Sequence, residues 1–160
     1  MRLVIADTGP VNYLILIGRI GLLPALFERV ILPEAVQLEL AAGDAPVSVR
    51  TWIHDRPPWI EVRPTPAGYL DANPLHGIHE GEKAAIALAA TLNAELLLMD
   101  DRRGVRAARH QGLRVTGTLG ILELASQKGL IDFAQAIDLL RRTSFRAPEA
   151  LLDALLRKHA

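Results

Sequence analysis

The sequence predicts an α/β protein: a three-layer α/β/α sandwich around a central, mostly parallel sheet. Three observations lead there. Short apolar runs (LVIA, RVIL, ELLLMDD and LRVT) alternate with helical patterns, the order that produces parallel strands joined by helical crossovers. These runs are apolar throughout rather than at every second residue, as strands covered on both faces require. The length of 160 residues is close to that of one average domain, which leaves room for one core.

Each element follows from local chemistry. LVIA is stopped by Asp7-Thr8-Gly9-Pro10, turn residues that end a strand, and a helix carrying Val11, Leu14 and Ile15 follows. Residues 20–27 read as a second short helix, with RVIL at 29–32 as the next strand. Pro33 suits a helix's first turn, so a helix is expected from 33 to about 42, closed by Gly43, with another over 46–55. Residues 56–78 hold five prolines and two glycines around an extended WIEVR, and long irregular stretches in compact proteins tend to serve function. From 79 the alanine-rich EGEKAAIALAATLNA is helical. ELLLMDD is a strand ending in two carboxylates, and RRGVRAARHQG is a helix stopped at Gly112. LRVT is the last strand, GTLGILELASQKG a helix ending at Gly129, and two further helices are expected at 132–142 and 148–158. The chain therefore reads as a single domain over 1–160, with 132–160 as a C-terminal helical extension.

Composition excludes several classes. Half the residues are hydrophobic, 22% are charged and mean hydropathy is +0.20, which argues against disorder. No uncharged run exceeds 11 residues, well short of the roughly 20 of a membrane-spanning helix. The apolar stretch at the N-terminus ends at Asp7, too early for a signal-peptide core, so a cytoplasmic chain is expected. With no cysteine, disulfide scaffolds, thiolate metal sites and cysteine nucleophiles are excluded. Charge balances overall, but residues 1–100 carry 7 Lys/Arg against 12 Asp/Glu, whereas residues 101–160 carry 11 against 6. An acidic site and a basic surface on one fold would produce that asymmetry, as would an ordinary solvated pattern.

In open α/β sheets the ligand site lies beyond the carboxyl ends of the strands. That rule selects Asp7, after the first strand, and Asp100 and Asp101, after LLLM. Each also suits a helix N-cap. Glu82 shares a helical face with Ala85, Ile86 and Ala89, so its carboxylate heads an apolar stripe and points inward, whereas Glu80 faces only small residues. Glu39 flanks the buried face set by Val36 and Leu40, about 60° from Val36. Several carboxylates packed together repel unless a cation neutralises them or some stay protonated. All-oxygen donors favour Mg²⁺ or Mn²⁺, and such ions activate water and stabilise charge on a phosphate. A nuclease is the natural use of that set.

At these residues the chain resembles PIN-domain proteins. IADTGPVNYLILIGRIGLLPALFERVILPEAVQLEL looks like the family's opening: an Asp after strand one, then a strand, a proline and a helix with V-x-x-E. EGEKAAIALA and LLLMDDRRGVRAARHQGLRVTGTLGIL look like its second half, with Gly-Glu opening the next acidic helix, Asp after the following strand, and Gly-Thr after the one beyond. The match covers nearly the whole chain in the family's order. It is similar to the predicted nucleic-acid-binding branch more than to the VapC-type ribonuclease toxins, which usually have Asp where this chain has Glu82. Those toxins also commonly have Asp-x-x-Phe where this chain has Asp101 to Gly104. The resemblance implies an α/β/α sandwich and a Mg²⁺- or Mn²⁺-dependent endoribonuclease leaving a 5′-phosphate and a 3′-hydroxyl. It further implies a homodimer and, in many relatives, a toxin with a cognate antitoxin protein. Carried over by position, Asp7, Glu39, Glu82 and Asp101 match the metal-binding, catalytic carboxylates, with Asp100 as the alternative to Asp101. Thr8 and Asn12 are candidate site contacts.

Arg102, Arg103, Arg106, Arg109 and Arg114 follow the acidic pair, and Arg141, Arg142 and Arg146 lie near the end. Phosphate contacts or a solvated face explain each, with Arg102, Arg103 and especially Arg106 the candidate RNA contacts. Other readings are weaker. HGIHEGE, with His76 and His79, is not H-E-x-x-H, and GTLG is neither a P-loop nor G-x-G-x-x-G. DTGP lacks the second Asp of a phosphoaspartyl loop. A noncatalytic nucleic-acid- or protein-binding module of the same fold is the alternative to the enzyme.

Overall fold

The computed structural model describes residues 2–66 and 78–160. In chain order the elements are β1 (Val4–Ala6), α1 (Thr8–Leu16), α2 (Leu22–Phe27), β2 (Val30–Pro33), α3 (Glu34–Ala41), α4 (Val47–His54) and β3 (Ile60–Arg63). They continue with α5 (Glu80–Leu92), β4 (Leu96–Leu98), α6 (Arg102–His110), β5 (Val115–Thr116), α7 (Thr118–Gln127), α8 (Phe133–Arg141) and α9 (Glu149–Lys158). The five strands form one sheet in the order β3-β2-β1-β4-β5, and every pairing is parallel. The sheet is thus wholly rather than mostly parallel, since every connection among the described residues is a crossover. The chain builds outward from β1 through β2 and β3, then returns to the other side of β1 for β4 and β5. The order therefore reverses between β1 and β4, a topological switch point where α/β folds open a crevice.

Side chains alternate across the sheet and divide the core in two. Val4, Ala6, Val30, Leu32 and Leu98 join Val11 and Leu14 of α1, Val36 and Leu40 of α3, Ile121 of α7 and Ile137 and Leu140 of α8. Ile5, Ile31, Leu97 and Met99 point the other way, onto Ala85, Ile86 and Ala89 of α5 and Ala108 of α6. The apolar runs are continuous because both faces are covered. The small residues of α5 let that helix lie close to the strands.

Two local expectations need correction. Pro33 closes β2 and stands at the N-cap of α3, with φ −61° and ψ 148°, rather than within the helix's first turn. Gly43 does not close α3 with a left-handed residue: the helix ends at Ala41 and turns through Ala42 at φ −64°. Gly112 and Gly129 do take the left-handed conformation, at φ 82° and 73°, after α6 and α7, where a side chain would strain the backbone. Trp52 and Trp59 pack together with ring centroids 5.7 Å apart. Among the described residues no helix is long and apolar enough to cross a membrane.

Leu97 is 1% exposed and Leu130 is 46% exposed. Urea unfolding should show Leu97→Ala destabilised by about 2–5 kcal/mol, with Leu130→Ala changed by no more than about 0.5 kcal/mol. Equal losses would contradict the two-faced core.

Candidate active site

Asp7 leaves β1 at the switch point, and its backbone N–H donates to the Leu98 carbonyl at 2.8 Å. Ala6 is in register with Leu98, so the ends of β1 and β4 deliver Asp7 and Asp100 to the same edge. A cavity of about 390 Å³ opens there, lined by the carboxylates of Asp7, Glu39, Glu82, Asp100 and Asp101. Glu39 arrives on α3 and Glu82 on the first turn of α5. The acids, far apart in the chain, meet in one place.

Hydrogen bonds distinguish their roles. Asp101 accepts from the Gly104 N–H at 2.9 Å and so caps α6, the structural role that suits Asp at a strand-to-helix turn. Asp7 occupies the equivalent position before α1 but makes no side-chain cap. Its Oδ1 is buried and without a hydrogen-bond partner, a costly state for a native polar atom. Glu39 Oε2 accepts from the Thr8 hydroxyl at 2.5 Å. Both oxygens of Asp100 are held by Thr118, Oδ1 by its N–H at 2.7 Å and Oδ2 by its hydroxyl at 2.6 Å. Glu82 Oε2 accepts from the His79 N–H at 3.3 Å.

Two glycines make room for this crowding. A Cβ on Gly81 would meet Glu39 Cδ at 2.8 Å, and one on Gly117 would meet Asp100 Oδ1 at 2.6 Å. Neither glycine has a positive φ; each is needed for its missing side chain, which lets a carboxylate lie against the backbone.

Burial pushes Asp7 from its ordinary 3.8 up to about 7; the backbone hydrogen bond from Thr8 opposes this, and the charges of Glu82, Glu39 and Asp100 add to it. Burial also raises Glu82, helped by Asp101 and Glu39 and opposed by His79. Asp100 is raised by burial against the two Thr118 hydrogen bonds. Among the described residues none of the five carboxylates has an ion-pair partner, and no group of three or more His, Asp or Glu forms a ready-made metal cage. The donor set still fits a hard divalent cation: it is all oxygen, it is negatively charged and uncompensated, and it contains an orphaned buried oxygen.

A family model described as a PIN domain matches residues 3–160. The chain belongs to the PIN-domain family. PIN domains are generally nucleases, and the all-parallel sheet between helical layers is consistent with that fold. No curated protein and no solved structure matches the chain.

In this PIN domain the sequence-selected acids Asp7, Glu39, Glu82, Asp100 and Asp101 all line the cavity, as does Thr8. Glu80 is exposed. Asn12, half-buried on α1, and Arg103, exposed on α6, do not line it, and Arg102 and Arg106 line a neighbouring cavity instead. His79 lies at the rim, whereas His76 is outside the described residues. Sequence reasoning missed Thr118 as a site residue, although Gly117-Thr118 directly after a strand was a usable signal. It also missed Tyr13, Ser144 and Phe145, which carry no motif.

Between about pH 4 and 7 the folded protein holds a proton on Asp7 that the unfolded chain has released. This contribution to stability therefore falls as pH rises through that window and stays low above it. In EDTA at pH 8, Asp7→Asn should raise stability by roughly 1–4 kcal/mol, or about 2–4 °C in Tm per kcal/mol, with a smaller gain at pH 5. Calorimetry giving the same difference at both pH values would contradict a strained Asp7. Gly81→Ala, on the first turn of α5, should leave Tm within about 2 °C yet displace Glu39, so activity should fall without unfolding.

Proposed function

We propose that the chain is a divalent-metal-dependent endoribonuclease. One observation carries this reading: Asp7 is buried with an unpartnered oxygen, its pKa raised by that burial and by neighbouring carboxylates, and among the described residues it has no ion-pair partner. Asp7, Glu39, Glu82 and one of Asp100 and Asp101 would hold Mg²⁺ or Mn²⁺. When bound, such an ion supplies charge compensation, water activation and stabilisation of the charge developing on a phosphate. RNA as substrate, products ending in 5′-phosphate and 3′-hydroxyl, a homodimer and pairing with an antitoxin rest on the PIN-domain resemblance.

The protein's own groups prepare the site. Thr8 orients Glu39 and Thr118 orients Asp100 through hydrogen bonds, the outer-shell support that fixes ligating carboxylates. The sequence favoured Asp101 over Asp100. Asp100 gains support from its burial beside Asp7, to whose charge it couples, and from the two Thr118 bonds that orient it, whereas Asp101 is exposed, caps α6 and couples to Glu82. The second reading, a binding module without catalysis, is favoured by the lack of a ready-made cage among the described residues.

RNA incubated with Mn²⁺ or Mg²⁺ should be cut, and EDTA should abolish cleavage. Asp7→Asn and Asp100→Asn should each cost more than the roughly 10–100-fold expected of Thr118→Val. Asp7→Asn as active as the parent would expose a contaminating nuclease and end the proposal; metal-independent RNA binding without cleavage would support the module.

A further inference from the structure

The arginines separate into paired and unpaired groups. Arg141 reaches Glu149 at 3.3 Å, and Arg142 reaches Asp138 at 2.7 Å. Arg146 has no ion pair among the described residues, is exposed, and lines the acidic cavity. It is the one permanent cation among the described residues lining that cavity. The loop that carries it is anchored. The Thr143 hydroxyl donates to the Leu140 carbonyl at 2.6 Å and accepts from the Phe145 N–H at 3.1 Å. Phe145 packs edge-on against Tyr13 at 5.1 Å, and the Tyr13 and Ser144 hydroxyls lie 3.2 Å apart. Tyr13 belongs to α1, the helix that begins just after Asp7, so the loop that carries Arg146 is fixed relative to the acids.

A second cavity, of about 610 Å³, lies beyond Asp100 and is lined by Arg102, Arg106 and Arg109 of α6. Spaced four and three residues apart, they share one helical face, and none has an ion pair among the described residues. Asp100 lines both cavities, so the two adjoin at that side chain. Phe145, next to Arg146, packs on the sheet face of Val4 and Leu98, whereas α6 packs on the face of Ile5 and Leu97, so the acidic centre has unpaired cations on two different sides.

A polyanion is repelled by five clustered carboxylates unless cations flank them. We propose that Arg146 on one side and Arg102, Arg106 and Arg109 on the other hold phosphates of a single RNA strand that continues past the acidic cavity in both directions. This rests on the nuclease reading and deepens it by naming the side chains that position the strand over the carboxylates.

The test measures binding of a labelled single-stranded RNA across a salt series, on an Asp7→Asn background in EDTA so that no cleavage intervenes. Arg146→Ala and Arg106→Ala should each reduce the slope of log K against log salt by about 0.7, the contribution of one single-strand phosphate contact. Arg157→Ala, an exposed α9 arginine outside both cavities, should leave the slope unchanged. With Asp7 restored and Mg²⁺ present, the two site variants should raise KM with little change in kcat, and a covalently closed RNA circle should be cut. Wild-type slopes in both variants alongside normal cleavage would overturn the path and leave the nuclease reading intact. Reduced slopes without any cleavage by the restored protein would support the path and overturn catalysis. An RNA that neither binds nor is cut would end both.

Discussion

Negative charge confined in a poorly solvated crevice is the constraint around which this protein is arranged. Asp7 is 5% exposed, and one of its oxygens has no partner. A carboxylate in that position is destabilising unless it is protonated or met by a cation, and its neighbours Glu39, Glu82 and Asp100 increase the cost. A fold selected for stability alone would replace it with an apolar side chain, so its presence points to a use.

The sheet makes that confinement unavoidable. Because β1 is the central strand and the order reverses between it and β4, the two strand ends open the crevice and deliver Asp7 and Asp100 side by side. Glu39 on α3 and Glu82 on α5 approach from flanking helices, and Gly81 and Gly117 remove the atoms that would block the carboxylates. The packing that stabilises the fold is thus the same packing that crowds the acids.

Much of this could be read along the chain, for identifiable reasons. The strands were legible because a parallel sheet covered on both faces needs continuous aliphatic runs. Glu82 was separable from Glu80 because helical periodicity put only Glu82 on the inward face. Asp100 and Asp101 were not separable, since adjacent residues leaving a strand have no fixed periodicity; the choice depends on Thr118, 18 residues further along. Arg146 was likewise indistinguishable from Arg141 and Arg142 until Glu149 and Asp138 were seen to occupy the latter two.

By itself the sequence determined the α/β class, the PIN-like order of elements, the lack of cysteine and which acids leave a strand end or head an inward helical face, because backbone preference and apolar periodicity are local properties. Tertiary structure alone decided that Asp7 keeps an unpartnered oxygen, that Thr118 holds Asp100 while Asp101 caps a helix, and that Arg146 lies at the rim. Those outcomes depend on which distant groups compete for the same donor or the same space, and no local pattern encodes that competition.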